Sequence, residues 1–102
     1  MNRALSGTVA IQETGRPLPG LQVVAARLVP GGVEPLGTTL SREMGRFRVT
    51  YEPLPEPADL FLYVYSPTGR LIYTEPIHRA ICGAELRLRV EIPAALLSRD
   101  LH

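Results

Sequence analysis

Tryptophan and lysine are absent from this 102-residue chain, cysteine occurs once and histidine twice. Each shortage excludes something. A lone Cys82 cannot close an internal disulfide, and it leaves the redox compartment undetermined. No apolar run approaches the ~18 residues of a membrane-spanning helix, so no membrane insertion is expected. The opening Met1-Asn2-Arg3-Ala4-Leu5-Ser6-Gly7-Thr8 lacks the apolar stretch of a signal peptide, which predicts a cytoplasmic protein or a part of a larger assembly. Net charge is only +1, and Arg79, Arg87 and Arg89 are interleaved with apolar or acidic neighbours. No segment is basic enough to form the stripe that displaces counterions from phosphates, so nucleic acid is not an expected partner. With lysine missing, all eleven basic residues are arginine; codon bias explains this as readily as chemistry does.

What is abundant is punctuation. Ten prolines and nine glycines divide the chain into short runs with a two-residue period, the pattern of an all-β sandwich or barrel. The runs are Leu5 to Gln12, Leu21 to Val29, a weaker Pro35 to Ser41, Arg46 to Tyr51, Leu60 to Tyr65, Arg70 to Thr74 or slightly beyond, and Glu85 to Ile92. In the last, Leu86, Leu88, Val90 and Ile92 alternate with Arg87, Arg89 and Glu91. Turns are expected at residues 13–20, at Pro30-Gly31-Gly32, at Arg42-Glu43-Met44-Gly45 and at Ser66-Pro67-Thr68-Gly69. Pro53, Pro55 and Pro57 make their segment a loop, because proline cannot donate to a ladder. One domain over residues 1–93 is expected, followed by a tail over 94–102 that is frayed or forms one helical turn. A chain of this size buries roughly 60–65% of its unfolded surface, enough for one core. The expectation is an all-β, seven-stranded antiparallel Greek-key sandwich of two packed sheets.

Three motifs carry a resemblance. Ser6-Gly7-Thr8-Val9, Gly15-Arg16-Pro17-Leu18-Pro19-Gly20-Leu21-Gln22-Val23 and Gly45-Arg46-Phe47-Arg48-Val49 are similar to the carboxypeptidase regulatory-like domain. Asp59 to Tyr65, then Gly69-Arg70-Leu71-Ile72, resembles its next hairpin, so the likeness runs over roughly residues 5–92. The resemblance implies a transthyretin (prealbumin)-like sandwich with Phe47 in the core and Val64 facing inward. It also implies a module that accompanies other machinery, such as a zinc carboxypeptidase, a secretion spike or toxin shell, or a surface receptor. The family's Thr-Asp before Gly-x-Phe is replaced here by Ser41-Arg42, so an Asp cap on that turn is missing.

Chemistry finds little support. His78 is followed three positions later by Ile81, not by the Glu of a zinc carboxypeptidase pair. His78 with Cys82 falls short of the four ligands of a structural zinc. The four tyrosines suffice for an intradiol dioxygenase-like iron site, but one imidazole would have to be His102 at the chain end. The ending Ser98-Arg99-Asp100-Leu101-His102 does not match the Tyr-Arg-Gly-Ser ending of hydroxyisourate hydrolases, and its Ser, Asp and His sit on no rigid scaffold. Glu52 and Glu56 read as solvated loop charges. The expectation is therefore a chain with no enzymatic activity, no metal and no cofactor.

One positive signal stands out. Leu60 to Tyr65 is apolar on both faces: Leu60, Leu62 and Val64 on one, Phe61, Tyr63 and Tyr65 on the other. A two-layer sandwich buries one face of each sheet, so the aromatic face is expected outward, as a surface for a protein partner or for self-association; the alternative is that the C-terminal tail or the proline loop of the same molecule covers it. The function expected is a structural or adaptor module mediating protein–protein association, in a secretion or toxin assembly. The alternative is a small carbohydrate- or peptide-binding sandwich, ranked lower because sugar platforms favour tryptophan.

Overall fold

The computed structural model describes residues 3–52, 59–77 and 86–97. They form seven strands: β1 (Arg3–Ile11), β2 (Gln22–Val29), β3 (Gly32–Leu40), β4 (Arg46–Tyr51), β5 (Leu60–Tyr65), β6 (Leu71–Ile77) and β7 (Leu86–Ile92). A 3-10 turn at Glu43–Gly45 precedes β4, and a single helical turn, α1 (Ala94–Leu97), follows β7. The strands build two sheets, ordered β4-β1-β7 and β3-β2-β5-β6. Strands β2 to β5 follow the Greek-key order, with β5 returning beside β2 after β3 and β4 have turned the corner between sheets.

The core is made by the two-residue period. Leu5, Val9, Leu21, Val23, Phe47, Val49, Leu60, Leu62, Val64, Val90 and Ile92 are all buried between the sheets. In β4 and β5 alternate residues are buried in strict succession, as side chains that point to opposite faces must be when one face meets the core. Phe47 and Val64 lie inside.

Three departures from the sequence reading have physical causes. β1 and β7 pair in parallel, Gly7 opposite Leu88 and Val9 opposite Val90, whereas every other pair is antiparallel. Residue alternation is the same for both directions, so period alone cannot distinguish them. β3 begins at Gly32 rather than Pro35, pairing back onto β2 from the Pro30-Gly31 turn. Pro35 is tolerated because β3 is an edge strand and the register shifts there. β6 extends to Ile77 through Pro76 for the same reason: it is the opposite edge of that sheet.

Ser41 takes a role that the absence of an Asp cap concealed. Its buried hydroxyl accepts from the Leu21 amide at 2.9 Å and donates to the Leu18 carbonyl at 2.8 Å. It thereby ties the end of β3 to the loop between β1 and β2 and leaves no buried polar atom of that loop unpaired at these positions. The Arg42 side chain makes no capping bond, and the turn is closed by its backbone, Gly45 amide to Arg42 carbonyl at 2.9 Å. Gly45 has φ +72° and lies against the Val9 carbonyl, so a side chain there would be both strained and blocked.

Candidate functional surface

On the four-stranded sheet, register places cross-strand neighbours in rows. Tyr63 lies between Val24 of β2 and Thr74 of β6, Phe61 between Ala26 and Pro76, and Tyr65 between Gln22 and Leu71. The rows continue onto β3, where Thr38 opposes Val24, Pro35 opposes Ala26 and Val33 opposes Leu28. None of these residues is charged. The polar ones besides the tyrosines are Gln22, Thr38 and Thr74, and Gln22 donates to Thr38 at 3.3 Å. Leu28, Val33, Leu40 and Leu71 on this face are 45–59% exposed, although large apolar side chains are more often covered.

The sequence-predicted residues Phe61, Tyr63 and Tyr65 occupy the middle of this face. They are half-buried by their neighbours within the sheet, and the rings of Phe61 and Tyr63 stack, with centroids 6.3 Å apart and planes 24° from parallel. Stacking fixes two aromatic rings in one orientation before any partner arrives, which lowers the entropy lost on binding. Sequence reasoning found the aromatic strand but not its flanks. Leu28, Val33 and Leu71 join the patch only through pairing that no local pattern reports.

Tyr73 behaves differently. It packs against the core from the edge strand β6. Burial, then the nearby carboxylates of Glu75 and Glu91, raise its phenol above the ordinary tyrosine value, so it stays protonated.

Among the described residues, two concavities lie at the end of the sandwich near α1. An open pocket of about 420 Å³ is walled by Ile11, Arg16, Pro17, Leu18 and Leu97, and a smaller one of about 240 Å³ lies between Arg70, Leu71, Ile72 and Leu96. Neither wall carries a His, Cys, Asp or Glu. Among the described residues no three such side chains converge, and no helix is long and apolar enough to cross a membrane. His78, Cys82, Glu56, Ser98, Asp100, His102 and the Pro53–Pro57 loop lie outside the described residues. Glu52 is exposed.

No protein-family profile and no curated protein matches the chain. Solved structures do. A 9R-lipoxygenase from Cyanothece is similar over 89% of this chain, with a TM-score of 0.57 and 20% identity, yet the chain spans only 17% of that protein. The 5-hydroxyisourate hydrolase of Klebsiella pneumoniae is similar over 85% of this chain and 84% of its own, with a TM-score of 0.50 and 20% identity. The second likeness corrects the expectation that the chain is not an enzyme. A hydrolase carries this architecture at almost its full length, and reactive groups are grafted onto a sandwich by its loops and ends, so the fold gives no ground for excluding catalysis. At this level of identity both neighbours speak to architecture alone, and the likeness to the hydroxyisourate hydrolase, together with the two-sheet topology, makes the chain an all-β sandwich of the transthyretin-like fold.

Proposed function

We propose that the domain is a structural or adaptor module that mediates protein–protein association through the uncharged outer face of the β3-β2-β5-β6 sheet. The observation that carries this reading is the contiguous apolar surface around the Phe61–Tyr63 stack, flanked by exposed Leu28, Val33 and Leu71. Four strands about 4.8 Å apart make a face roughly 20 Å across, and a six-residue strand such as β5 is about 20 Å long, so the face covers about 400 Å², comparable with the largest apolar patch of a monomer and smaller than the ~800 Å² per partner of a standard interface. The simplest occupant is a second copy. Two such faces meet without like-charge repulsion, and a two-fold contact needs only one self-complementary patch. The carboxypeptidase regulatory-like resemblance supports the same reading, since such domains accompany other machinery. So does the lipoxygenase neighbour, in which this architecture is a small part of a long chain. The larger assembly proposed is a secretion or toxin apparatus.

Sedimentation velocity over a concentration series tests this. The parent chain is expected to show a weight-average coefficient that rises with concentration, in the micromolar range suited to a patch of this size. The double variant Phe61→Ser with Tyr63→Ser is expected to sediment as a monomer at every concentration, with its thermal midpoint within a few degrees of the parent's. A parent that remains monomeric throughout, or a variant that associates like the parent, contradicts the proposal. A monomer whose tyrosine fluorescence responds to oligosaccharides would replace it with the carbohydrate-binding reading.

A further inference from the structure

The larger of the two concavities beside α1 has a fixed frame. The loop between β1 and β2 folds back on β1: the Ile11 amide donates to the Arg16 carbonyl at 2.9 Å, the Gly15 amide to the Ile11 carbonyl at 2.8 Å and the Leu18 amide to the Val9 carbonyl at 2.9 Å. The Gln12 amide donates to the Ile92 carbonyl at 2.9 Å and ties the start of the loop to β7. The Glu13 carboxylate accepts from the Ala94 amide at 3.0 Å, which sets the distance between the loop and α1. These bonds leave open the pocket of about 420 Å³ between Ile11, Pro17, Leu18, Pro19 and Leu97, with Arg16 its one charged side chain among the described residues. Leu18 and Leu97 are buried, Ile11 and Pro17 half-buried, and no aromatic ring lines the space. Arg16 is exposed and forms no ion pair with a described residue. Glu13 is the one acidic residue of the loop, it is engaged by the Ala94 amide, and α1 carries none. Asp100 lies outside the described residues.

We propose that this pocket binds a small aliphatic carboxylic acid, its chain against Ile11, Leu18 and Leu97 and its carboxylate on the Arg16 guanidinium. A fixed, mostly apolar cavity with few polar groups is the usual form of a small-molecule site, and 420 Å³ falls at the lower end of the range of about 300–1,000 Å³ for such sites. At about 30 Å³ for a water-sized group the pocket holds roughly fourteen heavy atoms, and an acid of eight carbons has about ten. A guanidinium matches a carboxylate with two parallel hydrogen bonds and keeps its charge wherever the acid is ionised. Walls without an aromatic ring favour an aliphatic chain over a flat ring, which finds nothing to stack on. None of the lining residues belongs to the β3-β2-β5-β6 sheet, so the site is separate from the proposed association surface.

Calorimetric titration and amide chemical shifts at low salt test the proposal with octanoate, butyrate and octylammonium. Octanoate is expected to bind saturably and at least about ten-fold more tightly than butyrate, whose shorter chain covers less of the wall. It is expected to bind at least about five-fold more tightly than octylammonium, which reverses the charge. In the unaltered chain, the amides of Ile11, Arg16, Leu18 and Ala94 to Leu97 are expected to shift on octanoate addition, a readout that needs no variant to fold. Arg16→Gln is expected to weaken octanoate about five-fold or more. Arg42→Gln, which removes the same charge from the turn before β4, is expected to change it less than about two-fold. No saturable binding, equal affinity for octylammonium, equal loss in the two variants, or shifts confined to β2 and β5 would each overturn it. So would tighter binding of a tripeptide ending in leucine with a free carboxylate, which would assign the pocket to a peptide end.

Discussion

Gly7→Ala is expected to abolish cooperative folding or to cost at least about 4 kcal/mol, a large part of the 5–15 kcal/mol available to a small domain. Gly7 sits in the middle of β1, between β4 and β7. A Cβ built there overlaps the Leu88 carbonyl oxygen and lies 2.8 Å from the carbonyl carbon, whereas ordinary carbon–oxygen contacts lie beyond about 3.3 Å. The obstacle is backbone, not a side chain that could swing aside. Relief requires β7 to move away from β1, and that breaks the parallel ladder joining the first strand to the last. Thr8→Ala, one residue further along the same strand, is expected to change stability by no more than about 1 kcal/mol. Thermal and urea unfolding of the two variants checks this. A Gly7→Ala chain as stable as the Thr8→Ala chain would show that β1 and β7 do not approach as described.

Leu62→Ala is expected to cost about 2–5 kcal/mol, the range for a large-to-small change that leaves a cavity in a close-packed interior. Leu62 is fully buried at the centre of β5, itself an inner strand of its sheet. Each kcal/mol lowers the midpoint of a domain this size by about 4–8 °C, so the midpoint should drop by roughly 8–40 °C. The comparison with the adjacent residue gives the variant its meaning. Tyr63 points away from the core on the same strand, and its truncation should act on association and not on folding. If Tyr63→Ser destabilised the isolated chain as much as Leu62→Ala, the aromatic face would be interior and the docking surface would be lost with it.

How far the structure was legible in the sequence follows from what alternation encodes. β4 and β5 have the bounds that the sequence indicates, because Phe47, Val49 and Tyr51, and likewise Leu60, Leu62 and Val64, alternate without interruption. β3 was half legible. Its N-terminal half, Gly32 to Pro35, is exposed at every residue, so no face stands out there. The direction of β7 was hidden because the period is blind to it. Ser41 stands in the sequence only as the residue at the family's Thr position, before the missing Asp; its buried hydrogen bonds come from a fold-level meeting of β3 with the loop before β2. The candidate surface divides in the same way. Phe61, Tyr63 and Tyr65 were visible because one strand carries them all. Leu28, Val33 and Leu71 became neighbours only when the register was known.

Hydroxyl-radical footprinting of the intact chain across a dilution series addresses the docking surface most directly, since it reads side-chain exposure without altering a residue. As concentration rises, oxidation of Phe61, Tyr63, Tyr65 and Leu71 should fall together, while Met44, which is 66% exposed in the turn before β4, keeps its rate. Labelling of the aromatic strand that stays constant while the chain oligomerises, or protection appearing at Met44 instead, would contradict the account.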